Sequence, residues 1–142
     1  NIDYLEEPDM FHDTFGHVPL LCNPVFSKFM EAFGKLGVAM KEDSEKVIQL
    51  QRLYWFTIEF GLIHEKTTKI YGAGIASSFG ETNLSIGNTV KVAPFDLKTI
   101  LHQTFETDHV QNLYFKIDSY EQLFEAIVAL ETSWNKKIIV AN

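Results

Sequence analysis

A single carboxylate in the most apolar stretch of the chain constrains the fold more than any other residue. Glu59 lies within LYWFTIEFGLI, residues 53–63, and no lysine or arginine falls within one helical turn of it. Arg52 is seven residues away, two turns along the same face of a predicted helix. Glutamate is rarely buried unless it is paired or binds a metal. We therefore expect the fold to bring Glu59 a partner from another part of the chain.

Two histidines in a second apolar stretch are candidates for that partner. MFHDTFGHVPLL, residues 10–21, places His12 and His17 five residues apart. On an α-helix such positions diverge by ~140°, so a straight helix cannot direct both side chains to one ion. We expect the helix to end near Gly16 and Pro19, with His12 on its last turn and His17 on the exit segment. Taken alone, the two histidines are more typical of polar residues satisfied within a core.

Two imidazoles and one carboxylate, with coordination positions left open, form the facial triad of non-heme Fe(II) oxygenases. The spacing of the histidines is weaker evidence than HExxH, in which both ligands share one helical face. Two other interpretations stay open. The same three ligands could hold zinc in a hydrolase, for which Asp13 is the only obvious general base. The three side chains could also hydrogen-bond one another in a metal-free helical interaction module.

Length and charge limit the remaining possibilities. The chain has 142 residues, enough for one hydrophobic core, and we expect a single domain over residues 1–142. Its net charge of −7 argues against binding to the phosphates of nucleic acid. No apolar run approaches the about 20 residues that cross a membrane. The single cysteine excludes an internal disulfide and favours a reducing, cytoplasmic location.

Apolar periodicity predicts a mainly α protein with a few short strands. A helix begins at Pro24 after an Asn23 cap, and the strongest helical pattern covers residues 45–65. A short helix capped by Asp96 and a last helix with a capping box at Ser119 follow. Strands are predicted over residues 69–71, 90–92 and 113–117.

Three stretches in this order, EPDMFHDTFGHVPLL, LYWFTIEFGL and YGAGIASSFGE, resemble the pterin-dependent aromatic amino acid hydroxylases. The resemblance is strongest to the bacterial members that act on phenylalanine, and it extends over essentially the whole chain. It implies that the chain is the iron-binding C-terminal portion of one such catalytic domain. The implied cofactors are Fe(II), a tetrahydropterin as cosubstrate and O2. The implied reaction converts phenylalanine to tyrosine, with tryptophan or tyrosine as alternative substrates.

The resemblance also implies roles for individual residues. His12, His17 and Glu59 would be the iron ligands. Asp13 and Tyr54 would lie near the pterin. The small-molecule aromatic substrate would contact five residues: Pro8, Trp55, Phe60, Gly74 and Ser77.

Two further expectations follow from the same resemblance. The family's main pterin-stacking aromatic residue and its carboxylate-binding arginine lie upstream of the first ligand, so we expect this portion alone to be inactive. No coiled-coil pattern follows Trp134, and we expect a monomer.

Overall fold

The computed structural model describes residues 9–87, 90–107 and 109–135. Within them, helices predominate over one small sheet, as the sequence predicted. The elements are π1 (His12–His17), α1 (Val18–Leu21), α2 (Pro24–Met40), α3 (Ser44–Tyr54), π2 (Trp55–Glu59), β1 (Gly61–His64), β2 (Thr68–Ile70), α4 (Ala73–Ala76), α5 (Phe79–Ser85), β3 (Lys91–Pro94), α6 (Leu97–His102), β4 (Leu113–Ile117) and α7 (Tyr120–Ser133). None of the helices in these ranges has the length and apolar character needed to cross a membrane.

The helix starts show which capping predictions were correct. The Asn23 side chain accepts hydrogen bonds from the backbone N–H groups of Val25 and Phe26, at 2.9 and 3.1 Å, and starts α2. Asp96 caps α6 in the same way. The capping box predicted at Ser119 does not form, because the Ser119 side chain makes no capping bond. Instead, Gln122 Oε1 accepts from the backbone N–H of Asp118, 3.0 Å away.

The single helix predicted over residues 45–65 is wrong beyond Tyr54. The chain leaves α3 through the π-helical turn π2 and then continues as strand β1. The N–H of Phe60 bonds to the carbonyl of Trp55, five residues back, at 2.8 Å. The strand is buried over residues 61–63, and such a strand has the same continuous apolar pattern as a buried helix. Periodicity therefore could not separate the two.

The sheet has the strand order β2-β1-β4-β3. β1 pairs antiparallel with β2 and parallel with β4, and β3 pairs parallel with β4. The strand predicted at 113–117 is confirmed, and those predicted at 69–71 and 90–92 are each displaced by one or two residues. Pro94 pairs with Lys116 at the end of β3. It can do so because β3 is an edge strand, which tolerates a residue without an N–H.

The two faces of the sheet contact separate apolar layers. Alternate residues of a strand point to opposite faces. Ile63 and Phe115 therefore belong to the main core, which also contains the buried residues of α2, α3 and α7. Leu62 and Tyr114 point the other way, into a smaller cluster with Phe60 and Ile75. That smaller cluster lies beneath α4 and the end of π2.

A close contact between π1 and α4 holds the histidine segment against the rest of the fold. Gly16 is buried, and a Cβ placed on it would lie 2.8 Å from the Cβ and 3.0 Å from the Cα of Ala73. The obstacle is backbone and a short side chain, neither of which can move away cheaply. Only glycine allows the two segments to approach this closely.

We therefore expect Gly16→Ala to destabilise the full-length gene product by about 1–3 kcal/mol, because the added methyl group overpacks this contact. The free energy of unfolding from urea titration measures the effect. Gly34→Ala is the matched control, because Gly34 lies within α2 and nothing lies within 4 Å of the added Cβ. That change should stabilise the protein by about 0.5–1 kcal/mol. Equal effects of the two substitutions would contradict the proposed contact.

Candidate metal centre

His12 and His17 lie on one π-helical turn, which corrects the expectation that the helix ends between them. The Asp9 carboxylate caps the segment by accepting from the N–H of His12 at 2.9 Å. The N–H of Val18 bonds to the carbonyl of Asp13, five residues back. A π-turn thus fits five residues into about one turn, so positions i and i+5 face the same side. The two imidazoles have Nε2 atoms 3.0 Å apart.

Glu59 comes from the second π-turn and faces the same point. Its Oε1 is 3.2 Å from His17 Nε2, and its Oε2 is 3.5 Å from His12 Nε2. The local cause of this turn includes Thr57, whose buried hydroxyl donates to the carbonyl of Leu53 at 2.6 Å. A threonine that bonds back to its own helix in this way disturbs the regular α pattern. The structure thus brings together the three residues predicted as metal ligands.

The spacing of the three donor atoms fits a single divalent cation. Bonds of about 2.0–2.2 Å to nitrogen and oxygen place neighbouring ligand atoms about 3.0–3.5 Å apart when they meet at 90–110°. The observed separations of 3.0, 3.2 and 3.5 Å lie in this range. Two histidines and one carboxylate leave further coordination positions for small molecules. The donor set therefore fits the iron that the resemblance implies, and it also fits zinc.

Ser77 determines which nitrogen of His12 is free to bind a metal. The Ser77 hydroxyl donates its only hydrogen to the carbonyl of Ala73 at 2.8 Å. It must therefore accept from His12 Nδ1, which is also 2.8 Å away. The Nδ1 atom of His12 carries the proton, and the lone pair of Nε2 points to His17 and Glu59. Such a bond from the outer nitrogen fixes the ring and its tautomer for metal binding.

The three predicted ligands influence one another's protonation. The hydrogen bond to Glu59 raises the pKa of His17 above its usual value, although burial opposes this. Burial acts to raise the pKa of Glu59, but the contacts with His17 and His12 outweigh it and lower that pKa. A proton on His17 Nε2 can thus be shared with the carboxylate. A cation would replace that proton when it binds.

Asp13 and Tyr54, the predicted pterin residues, both lie next to these ligands. Tyr54 is half-buried, and burial together with the Glu59 and Asp13 carboxylates raises the pKa of its phenol well above the usual value. The phenol also hydrogen-bonds to Glu59. Asp13 is exposed, and its charge acts on both His17 and Tyr54. The two residues therefore adjoin the proposed metal ligands.

The predicted substrate residues divide between this centre and a nearby aromatic cluster. Trp55 packs against Phe60 with ring centroids 4.6 Å apart, and against Phe105 at 4.5 Å. Gly74 lies against Phe60, since a Cβ on Gly74 would be 2.8 Å from the phenyl Cζ. Ser77 contacts His12, as described above. Pro8 lies outside the described residues.

An open apolar cleft of about 610 Å³ lies beside the aromatic cluster, between α2 and α3. Its lining includes Tyr54, Trp55 and Phe105, but not Phe60, Gly74 or Ser77. The cleft therefore contains only one of the predicted substrate residues. It does not by itself identify a substrate site.

The sequence reasoning missed two buried polar residues: Gln111, which bonds to the aromatic cluster, and Glu81, which bonds to Gln111. Gln111 Oε1 accepts from the indole N–H of Trp55 at 3.0 Å. Glu81 is buried and accepts from the backbone N–H of Gln111 at 3.0 Å. Glu81 ends the YGAGIASSFGE stretch, so an acid there was visible in the sequence. Gln111 gave no signal, because a single glutamine in a loop-like stretch is unremarkable.

Comparison with known proteins identifies the family. Residues 2–141 match the family model for the biopterin-dependent aromatic amino acid hydroxylases. The chain belongs to this family. Phenylalanine-4-hydroxylase of Chromobacterium violaceum is 49% identical over 127 residues, which cover 88% of this chain and 42% of that protein. The enzyme of the same name from Mesorhizobium japonicum is 42% identical, with 90% of this chain and 50% of that protein covered.

A solved structure supports the same family assignment. Phenylalanine hydroxylase from Chromobacterium violaceum, with bound iron(III) and oxidised 7,8-dihydrobiopterin, superimposes with a TM-score of 0.84 at 45% identity. The match covers 96% of this chain and 51% of that structure. This member of the biopterin-dependent aromatic amino acid hydroxylases thus spans about half the length of the relatives it matches.

The role of Ser77 can be tested by metal affinity. We expect Ser77→Ala to weaken divalent metal binding by about 10–100-fold, because His12 loses the bond that fixes its ring. Competition with a chromophoric chelator, using Co(II) as the probe, measures the affinity in the full-length gene product. Ser133→Ala is the matched control, since Ser133 also donates to a carbonyl of its own helix but lies in α7. Unchanged affinity in Ser77→Ala would contradict the role assigned to the serine.

Proposed function

We propose that the full-length protein containing this chain is an Fe(II)- and tetrahydropterin-dependent monooxygenase that hydroxylates the ring of phenylalanine to give tyrosine. The observation that carries the proposal is the convergence of His12, His17 and Glu59 on one point, with donor atoms 3.0–3.5 Å apart. The named relatives and the iron- and pterin-containing structure support the same activity. A hydroxylase of tryptophan or tyrosine is the alternative within this family.

When bound, iron and tetrahydropterin supply the redox chemistry, because they activate dioxygen and provide two electrons, with one oxygen atom going to the pterin and one to the ring. The chain's own residues have the task of holding and shielding these groups. His12, His17 and Glu59 would bind the iron on one face and leave the other positions open. Ser77 would keep His12 in the tautomer whose Nε2 can coordinate.

The aromatic cluster is proposed to form the wall of the substrate site. Trp55 precedes the proposed ligand Glu59 by four residues and Phe60 directly follows it, so an apolar ring held against them would lie near the metal. Apolar aromatic walls with few polar groups are typical of sites for such ligands. They would also exclude water from the reacting centre. Pro8 and Gly74 are proposed substrate residues on the resemblance to the family.

Asp13 and Tyr54 are proposed to contact the pterin. Asp13 is exposed beside His17, so its carboxylate is free to accept hydrogen bonds from a polar heterocycle. The Tyr54 phenol donates its one hydrogen to Glu59, which leaves its oxygen able to accept a hydrogen bond from the pterin. Asp13 acts electrostatically on His17, and Tyr54 bonds to Glu59, so both residues adjoin the proposed ligands. Their role is inferred from this placement and from the family resemblance.

A zinc hydrolase with the same ligands is the less favoured alternative. The donor atoms alone fit either metal. A hydrolase needs a general base near the metal-bound water, and Asp13 is the candidate among the described residues. Hydrolysis does not, however, require an aromatic cluster beside the ligands. The nature of the active metal therefore separates the two functions.

Glu59→Gln tests the proposed reaction most directly. We expect the variant to lose iron affinity and at least about 100-fold of its activity, because a neutral amide is a much poorer ligand than a carboxylate. Tyrosine formation from phenylalanine is measured with Fe(II), a tetrahydropterin and O2, using the full-length gene product. Zinc-loaded protein should form none.

The control is Glu125→Gln, an identical change at an exposed position of α7. It should leave both iron binding and turnover unchanged. Turnover at the wild-type rate in Glu59→Gln would remove Glu59 from the centre. If wild-type protein binds iron but forms no tyrosine, tryptophan and tyrosine become the next substrates to test.

We further propose a monomeric, cytoplasmic protein. The chain's single cysteine suits a reducing compartment, and its net charge of −7 opposes self-association. We expect light scattering during gel filtration to give the mass of one full-length chain at micromolar concentration. A mass twice as large would contradict the monomer.

A further inference from the structure

The Trp55 indole has a polar anchor in addition to its aromatic neighbours. Its N–H donates to Gln111 Oε1 at 3.0 Å, while Phe60 and Phe105 pack against its rings. The near-parallel stacking on Phe105, with an angle of 15° between the planes, involves the loop that also carries Gln111. One loop between α6 and β4 therefore contacts the indole both through a stacked ring and through a hydrogen bond.

The hydrogen bonds of Gln111 fix the direction of its side-chain amide. Its Nε2 donates to the carbonyls of Glu106 and His109, at 2.9 and 3.0 Å. Two carbonyls can accept only from the amide NH2 group, so the opposite atom must be the oxygen. That oxygen is the one that accepts from Trp55. The orientation is therefore determined by the loop's own backbone, and the acceptor is in place before a substrate binds.

Glu81 connects this loop to the segment that supports the metal ligands. Its Oε1 accepts from the backbone N–H of Gln111 at 3.0 Å, and its Oε2 accepts from the Tyr114 hydroxyl. The side chain is completely buried. Burial raises the pKa of Glu81, while the bonds from Tyr114 and Gln111 oppose the rise. Glu81 lies in α5, which directly follows Ser77 and α4.

A buried acid with two donors is costly to maintain for packing alone, since an apolar residue of similar size would avoid desolvation. The hydrogen bonds instead form a continuous series, in which Glu81 of α5 holds the backbone of Gln111 and the Gln111 side chain holds the indole of Trp55. In the described part of the chain, neither Glu81 nor Gln111 shares a hydrogen bond or ion pair with His12, His17 or Glu59. The hydrogen bond that links them to the segment carrying Glu59 is the one from the Trp55 indole to Gln111.

We propose that Gln111 and Glu81 are positioning residues that hold the Trp55 indole in the orientation needed to receive the substrate ring. This inference rests on the proposed function, in which Trp55 forms part of the substrate wall. An indole without its N–H partner can tilt about its side-chain bonds and leave a wider, less defined slot. The protein would then bind phenylalanine less well and discriminate less against the larger ring of tryptophan.

The test compares Gln111→Leu with wild type in the iron-loaded, full-length gene product. We expect KM for phenylalanine to rise about tenfold, the size of one lost hydrogen bond, with a smaller change in kcat. The ratio of kcat/KM for phenylalanine to that for tryptophan should fall by a similar factor. Gln103→Leu is the matched control, because Gln103 lies on the same loop and its amide NH2 donates to the carbonyl of the neighbouring Thr104. It should leave both quantities unchanged.

Trp55→Phe removes the same hydrogen bond from the other side while keeping an aromatic ring. In that background Gln111→Leu should have little further effect on KM, because the shared bond is already absent. Additive effects of the two substitutions would overturn the proposal. So would a Gln111→Leu variant that behaves like Gln103→Leu. Glu81→Gln, which keeps an acceptor for Gln111, should raise KM less than Gln111→Leu does.

A measurement without turnover separates this inference from the proposed function. In zinc-loaded protein, the indole N–H signal of Trp55 is assigned in a 1H–15N spectrum by its loss in Trp55→Phe. It should shift, and its exchange with water should become faster, in Gln111→Leu but not in Gln103→Leu. An unchanged signal overturns the positioning role even if the enzyme is active. The expected shift in a protein that forms no tyrosine would support the positioning role and contradict the proposed function.

Discussion

The hydrogen bonds of two π-turns determine the geometry of the whole site. In π1 the N–H of Val18 reaches the carbonyl of Asp13, and in π2 the N–H of Phe60 reaches that of Trp55. Each bond spans five residues, so side chains at i and i+5 face the same side. In π1 this pairs the imidazoles of two proposed metal ligands, and in π2 it pairs the rings of Trp55 and Phe60. An α-helical turn would separate both pairs.

The π-turns depend on close packing from α4. Gly16 lets π1 approach Ala73, and Gly74 lets the same short helix approach Phe60 at the end of π2. The Ala73 carbonyl of α4 accepts from the Ser77 hydroxyl, and the oriented hydroxyl fixes the tautomer of His12. A helix of four residues thus supports both turns and one ligand. The burial of Glu59 is tolerated only because this packing brings it the two histidines from π1.

The sequence predicted residue chemistry better than backbone geometry. Glu59 was identifiable because an unpaired acid in an apolar stretch needs a partner, and the helix starts at Asn23 and Asp96 because asparagine and aspartate are preferred N-cap residues. The π-turns were not predictable, since the i to i+5 separation of His12 and His17 was interpreted with the angle of an ordinary α-helix. The extent of β1 was misassigned because a buried strand and a buried helix share one apolar pattern. Gln111 could not be found, because its importance lies in partners that only the folded loop supplies.

The segment from Trp55 to Glu59 joins the two parts of the site in a way that separate elements could not. Its first residue belongs to the aromatic wall and its last is a proposed ligand, and the backbone between them is one hydrogen-bonded turn with a buried Thr57. Because only one turn of backbone separates Trp55 from Glu59, a displacement of the indole also displaces the carboxylate. Gln111, held in turn by Glu81, bonds to the Trp55 indole at the first residue of this turn. His12 and His17 contact the Glu59 carboxylate at its last residue. One short segment anchored at both ends therefore fixes the separation between the aromatic cluster and the Glu59 carboxylate, and the buried Glu81 and Gln111 contribute to the anchor at its Trp55 end.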